Sequence, residues 1–524
     1  MIAKTVLKGD LTNEHDERKR AAKLSRALLQ RDKCVLILDD VWNHFRLEEV
    51  GICLKVNGCK LILTTRSFDV CRRMACQEKI KVESLPGKET WDLFKETLGH
   101  GLTLSPDIEK VAMSIAKRCA GLPLGIITMA GSMREVDDIH EWRNVLEELE
   151  KPTTGQRDMQ DEVFPLLKLS YDRLKDAKLQ HCFLYCALYP EDEKIKRKEL
   201  ITFFIVEGII DRKKSMQAKF DMGHTLLNKL ENACLLESSG DLDGETCVKM
   251  HDLMREMALK ITKVGPRFMV AAGHEKQDGL EWMEDLEKVS LMSCIIKFPE
   301  GMSPRCPKLS NLLWSDNYDL MEIPHSFFVH MPALRVLDLS DTRICELPNS
   351  ILNLENLTGL FLKDCAKLKY VPPLGNLMAL QVLNLSGTNI EEVPQGMERL
   401  IGLTGLFLQD CAKLKYVPPL GNLTALQVLN LSRTSIEEVP QVGLVGVWWS
   451  GEFKYTKKDR LVRMSNISLE GDGGKVVAAL LLRDIRECDI SCCDEIEYIE
   501  RFPFSNEIEV EEDSGEESHP ISRP

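Results

Sequence analysis

The sequence has no apolar run near the ~20 residues that span a bilayer; runs such as Leu124–Ala130 and Val476–Leu482 fall far short. No membrane span is expected. Its 18 cysteines include no Cys-x-x-Cys pair and are matched by no suitably spaced histidine pair, so they do not read as a zinc site. The opening Met1-Ile2-Ala3-Lys4 lacks the apolar core of a signal peptide, and the thiols are read as reduced, in a cytoplasmic protein. Basic excess is missing too. The 82 acids against 68 bases give a formal charge of −14, which argues against specific or non-specific nucleic-acid binding. Glu507, Glu509, Glu511, Glu512, Asp513, Glu516 and Glu517 concentrate much of that charge in a short polar tail, read as disordered. The chain has 524 residues, 44% hydrophobic and 29% charged, which is ordinary globular composition at a length of about three domains.

Residues 12–31 carry apolar positions at Ala21, Leu24, Leu28 and Leu29 among charges, the pattern of an amphipathic helix. The run Cys34-Val35-Leu36-Ile37-Leu38 is continuously apolar, which predicts a strand buried on both faces, as in parallel sheets. A second such strand is Lys60–Arg66, and a third is expected at Lys79–Glu83, with helices at 67–76 and 88–98. From about 104 to 262 the pattern is helical, with stops at Gly121-Leu122-Pro123 and Tyr189-Pro190. A hairpin is expected at Leu235–Lys249, turning at Asp243-Gly244, which makes the segment a winged helix.

Beyond residue 285 the chain repeats. Leu334, Leu357, Leu380, Leu403 and Leu426 each open an L-x-x-L-x-L block, at steps of 23 residues. That period is the signature of leucine-rich repeats, each turn giving one short strand that stacks on the next. Residues 357–395 and 403–441 match at all but four pairs: Lys363/Gln409, Met378/Thr424, Gly387/Arg433 and Asn389/Ser435. An offset of 46, two whole turns, lengthens such a stack in register. Strand alternation places Arg335, Asp338, Phe361, Lys363, Asn384, Phe407, Gln409 and Asn430 outward on the concave sheet, a protein-docking face with two exposed phenylalanines. A stack with no ligand is the alternative.

The first strand ends in Asp39-Asp40, where one carboxylate can hold Mg²⁺ and the next can orient a water. An ordinary acidic loop is the alternative. The second strand ends in Thr64-Thr65-Arg66, whose guanidinium can meet a terminal phosphate, or can simply face solvent. Pro123 suits the first turn of a helix, and His251 opens one, as phosphate donor or as cap. Cys182, Phe183, Cys186 and Leu188 read as core. In this order LILDDVW, LTTR, GLPL, CFLYCALYPEDE and MHDLMREMA, followed by the repeats, resemble the plant NB-ARC leucine-rich-repeat immune receptors of the coiled-coil class, over roughly residues 10–440.

The resemblance implies a multi-domain α/β, α and repeat fold. It divides the chain into a partial nucleotide-binding P-loop NTPase-type domain (1–103), a helical GLPL domain (104–158) and a winged-helix domain ending in the MHD motif (159–262). A linker (263–285), a leucine-rich-repeat solenoid (286–443), a divergent cap (444–505) and the acidic tail (506–524) follow. It also implies an intracellular ADP/ATP-controlled switch that senses pathogen effectors or guarded host proteins through the repeats, with self-association as a further partner. Asp39 would be the Mg²⁺-side acid and Asp40 its catalytic neighbour. Arg66 would sense the γ-phosphate, Pro123 would line the adenine pocket and His251 would contact the ADP β-phosphate.

The sequence departs from that family in one respect. It has no G-x-x-x-x-G-K-[S/T]: Gly87-Lys88 is followed by Glu89 and Gly474-Lys475 by Val476. Without that cradle nucleotide affinity should fall steeply, and hydrolysis is not expected. The strand preceding that loop would lie between the strands ending at Asp39 and at Arg66, so both should be left with unpaired edges. The expectation is a truncated receptor, with a nucleotide-independent decoy or adaptor that uses only its repeats as the alternative.

Overall fold

The computed structural model describes residues 17–30, 34–39, 41, 43–52, 59–65, 67–99, 104–150, 159–211, 215–242, 244–271, 280–294, 299, 301–431, 433–436, 461–465 and 487–491. They form two compact units, Met1–Ser84 and Leu85–Pro524.

In the first unit α1 (Glu17–Leu29) lays Leu24 and Leu28 on a two-stranded parallel sheet of β1 (Cys34–Leu38) and β2 (Cys59–Leu63). The two edges expected to be unpaired meet each other, from Cys34 opposite Cys59 to Leu38 opposite Leu63. Direct pairing satisfies amides and carbonyls that would otherwise cost about 1–3 kcal/mol each. Burial on both faces does not follow: Val35, Ile37 and Ile62 are 61%, 62% and 51% exposed. The expected third strand at Lys79–Glu83 joins no sheet, and Ile80 and Val82 are each 90% exposed. Alternation supplies a strand's face but not its partner.

The loop after β1 closes onto α1 at Gly51 (φ +86°), where an added Cβ would stand 2.1 Å from the Ala21 carbonyl oxygen. Gly51→Ala is expected to cost at least the ~1–3 kcal/mol of an overpacked contact. Faster hydrogen exchange in α1 and β1, with no change in the second unit, is the expected reading.

The second unit opens with α3 (Gly87–Leu98), after α2 (Phe68–Arg73) of the first. Helices α4 (Pro106–Arg118), α5 (Pro123–Ser132) and α6 (Ile139–Glu150) surround a core that includes Phe94, Ile115, Ile126 and Trp142. Although α3 falls in the segment 1–103, its Phe94/Leu98 stripe packs here. Five helices follow: α7 (Met159–Asp172), α8 (Ala177–Cys186), α9 (Arg197–Glu207), α10 (Met216–Asn232) and α11 (Asp252–Thr262). With them lies an antiparallel sheet of β3 (Ile195–Lys196), β4 (Glu237–Leu242) and β5 (Glu245–Lys249), in the order β3-β5-β4. The expected hairpin is there, Cys182, Phe183, Cys186 and Leu188 are core, and Asp243 lies outside the described residues.

Eight parallel strands then stack in chain order: β6 (Arg267–Val270), β7 (Leu286–Ser290), β8 (Asn311–Leu313), β9 (Val336–Asp338), β10 (Gly359–Phe361), β11 (Val382–Asn384), β12 (Gly405–Phe407) and β13 (Val428–Asn430). Segment 263–285 therefore contains a strand of the sheet and is more than a linker. The 23-residue step aligns Leu337, Leu360, Leu383, Leu406 and Leu429, each at most 1% exposed. Each contributes about 1.5–3 kcal/mol of apolar burial. In the duplicated turns the Asn389 amide donates to the Ala366 carbonyl at 2.7 Å, and the Ser435 hydroxyl donates to the equivalent Ala412 carbonyl at 2.8 Å. Of 444–505, β14 (Leu461–Ser465) pairs in parallel with β15 (Glu487–Ser491); the rest of it and the acidic tail lie outside the described residues.

Candidate functional site

The residues expected to meet nucleotide are divided between the two units. In the first, Asp39 stands exposed at the carboxyl end of β1 and accepts a hydrogen bond from the Thr64 hydroxyl. The backbone ties these ends together: Thr64 N–H donates to Leu38 at 2.9 Å, Val41 N–H donates to Thr64 at 2.8 Å and the Thr65 hydroxyl donates to Val41 at 2.7 Å. Asp40 and Arg66 lie outside the described residues. The pairing of Asp39 with Thr64 was not predicted, although the Thr-Thr pair at a strand end was its signal. The carboxylate is engaged by a hydroxyl, and β1 pairs directly with β2. No glycine-rich turn among the described residues aims N–H groups at that end.

In the second unit Pro123 occupies the first turn of α5, after the left-handed pair Ala120 (φ 52°) and Gly121 (φ 71°), with its ring exposed. That is helix punctuation. His251 is the N-cap of α11, and its Nδ1 accepts from the Leu253 N–H at 3.2 Å. One turn on, the buried Arg255 donates to the Tyr189 carbonyl at 2.7 Å and reaches Glu191 at 3.4 Å, tying MHDLMREMA to the end of CFLYCALYP. Sequence reading missed Arg255.

The largest correction concerns the concave sheet. Phe361 points outward as expected but is only 7% exposed, because α9 covers it. Its ring meets Phe203 edge-on at 4.9 Å. The Thr358 hydroxyl donates to the Val206 carbonyl at 2.7 Å, and Arg335 reaches the Glu207 carbonyl at 3.5 Å. Gly359 permits this approach, since a Cβ there would lie 3.1 Å from Val206 Cγ2. At the end of α9 the Glu207 carboxylate pairs with Lys288 of β7, both being buried. Lys288 also donates to Asn311 Oδ1 at 2.9 Å, and Asn311 Nδ2 donates to the Tyr185 hydroxyl at 3.2 Å. Burial pulls the nearby His181 down to about 4, so that ring is neutral.

Asp338 is buried, and Lys363 stands 3.5 Å from Asp364. Asn384 accepts from the Ser386 N–H at 3.0 Å, and Phe407 is partly buried against the edge of the winged-helix core. Gln409 accepts from Asn430 at 3.0 Å. Beyond the reach of α9, Arg433 and Asp410 pair at 2.6 Å.

A cleft of about 200 Å³ remains between the winged helix and the repeats, lined by Lys194, Lys196, Glu199, Asp338, Asp341 and Lys363 among others. Burial, with other carboxylates adding to it, pushes Asp341 up to about 6 and Asp338 above its ordinary value. The unfolded chain sheds these protons at lower pH. The folded protein therefore holds more protons between about pH 4 and 6, and the stability this gives is lost as pH rises through that window. A melting midpoint that falls from pH 5 to 7.5, with a flatter profile in Asp341→Asn, is expected by scanning calorimetry.

A two-stranded parallel sheet, a winged helix and leucine-lined parallel strands follow in this order and define a multi-domain protein. Residues 1–102 match the NB-ARC domain family, and residues 188–258 match the disease resistance protein winged helix domain. In Arabidopsis thaliana, disease resistance protein At4g27190 is 36% identical over 377 residues, covering 70% of this chain and 38% of that protein. Probable disease resistance protein At1g15890 is 38% identical over 359 residues, covering 66% and 41%. Disease resistance protein RFL1 is 37% identical over 367 residues, covering 68% and 41%. The chain is thus a relative of plant NB-ARC disease resistance proteins, and it spans about two fifths of the length of those it matches. Among solved structures, a leucine-rich-repeat protein of Leptospira interrogans aligns at 19% identity over 40% of this chain and 49% of that chain. Its TM-score is 0.28, too low to carry an argument. No helix among the described residues is long and apolar enough to cross a membrane.

Proposed function

We propose that this chain works in plant innate immunity as the sensing and relay portion of a disease-resistance receptor. Its leucine-rich-repeat solenoid takes a pathogen effector or a guarded host protein, and the winged helix carries that event toward the NB-ARC segment. The observation that carries the reading is the junction of α9 with the repeat sheet, where Phe361, Thr358 and Lys288 join the two domains through aromatic, hydrogen-bonded and ionic contacts. A partner that displaced α9 would free all of them at once. Because α9 covers the earlier strands, the partner-facing part of the concave surface is placed on Gln409, Asn430 and the adjoining Asp410 and Arg433.

ADP/ATP control with Mg²⁺, using Asp39, Asp40, Arg66, Pro123 and His251, belongs to the same reading. The missing G-x-x-x-x-G-K-[S/T] and the direct β1–β2 pairing favour the alternative of a nucleotide-independent decoy or adaptor. Purified protein is denatured and the supernatant assayed for nucleotide. Stoichiometric ADP or ATP excludes the adaptor; none, from protein that melts cooperatively, excludes the switch for this chain.

A further inference from the structure

Helix α2 ends in a closed turn. Ala75 is left-handed at φ 52°, its N–H donates to the Arg72 carbonyl at 3.1 Å, and the Cys76 N–H donates to the Cys71 carbonyl at 3.1 Å. Those two bonds define a Schellman motif, which folds the residue after the left-handed position back onto the last helical turn, so that their side chains touch. An apolar pair normally fills these two places. Here both are cysteine. The Cys71 thiol is near enough to bear on the Cys76 thiol, and both residues are half-buried rather than sealed in a core. Lys79 holds the far side of the turn, its ammonium donating to the Cys76 carbonyl at 3.0 Å. Between the cysteines the Met74 sulfur accepts the Phe45 N–H at 3.4 Å, which fixes the turn against the loop after β1.

From this geometry we infer that Cys71 and Cys76 are a redox modification site, a thiol pair that closes reversibly to a disulfide across the end of α2. A six-residue turn closed by two backbone hydrogen bonds already brings the Cα atoms near the separation a disulfide requires, so little has to move. Among the described residues, the other cysteine pair near in sequence lacks this combination. Cys182 and Cys186 are also near in sequence but lie at most 1% exposed inside the winged-helix core, where burial pushes both thiols up and no oxidant reaches them. Burial and the neighbouring Cys71 raise the Cys76 thiol as well, which assigns Cys76 the second step. With a small-molecule disulfide as oxidant, the Cys71 thiolate attacks one sulfur and expels one thiolate; the Cys76 thiolate then attacks the mixed disulfide at Cys71 and expels the second. Two protein thiols lose two protons and two electrons, and one oxidant disulfide becomes two thiols.

The full chain is equilibrated in buffers of rising oxidised-to-reduced glutathione ratio, acid-quenched, alkylated and digested with trypsin. Expected is joint loss of alkylation at Cys71 and Cys76 at one ratio. Peptides Ser67–Arg72 and Met74–Lys79 should appear linked, two hydrogen masses lighter than their sum, with no glutathione on either. Exposed Cys345 is the control for an ordinary thiol. In Cys76→Ser the mixed disulfide should be trapped at Cys71. Loss at two different ratios, or separate glutathione adducts on the two wild-type cysteines, would overturn the assignment. So would both thiols remaining free where Cys345 is already glutathionylated.

Discussion

Replacing Glu207 by alanine is expected to cost the second unit about 3–5 kcal/mol, the penalty for stripping one partner from a buried ion pair. Burial, with the Arg335 charge adding to it, pulls the Lys288 ammonium down to about 7, and Glu207 is the carboxylate paired with it. Asn311 supplies only a dipole, and neutral His181 cannot take over. Lys288 must then keep an uncompensated charge or give up its proton. Urea unfolding followed by the fluorescence of buried Trp142 and Trp314 gives the loss. A double replacement, Glu207→Leu with Lys288→Met, should recover most of it, since an apolar pair of similar volume is often neutral or better. A Glu207→Ala loss under about 1 kcal/mol would mean that α9 does not rest on β7 in solution.

Phe361→Ala should cost about 3–5 kcal/mol, and Phe407→Ala clearly less, although the two residues come from the same duplicated sequence. Phe361 is sealed under α9 against Phe203, whereas its copy two turns later lies at the margin of that contact. Alanine at 361 should also expose the Val206 side of α9 to protease. Equal losses at both positions would show that these rings serve the repeat core alone.

The repeat strands were legible because a strict period leaves one arrangement that buries every leucine. The winged-helix hairpin, the helix start at Pro123 and the cap at His251 were legible because turns and helix starts are local. Contacts between distant segments were not. Phe361 has the right alternation for an open face, and nothing near it in sequence announces that α9 will lie across it. Lys288 in Leu-Glu-Lys-Val-Ser reads as a solvated strand residue, and its carboxylate lies 81 positions earlier. The pairing of β1 with β2 escaped prediction for a related reason: a strand's sequence specifies its faces better than its neighbours.

The duplicated turns carry nearly one sequence in two settings. In the first copy Gly387 leaves room that Asp364 fills, an added Cβ coming within 2.2 Å of its carboxylate oxygen. In the second, arginine stands at that position and grips the preceding Asp410. The first copy lies along the joint with α9, and the second extends past it. The duplicated pair of turns thus gives the stack a stretch in which mutations disturb the joint less. Substitutions should therefore be tolerated more readily there than in the turns that pack against α9.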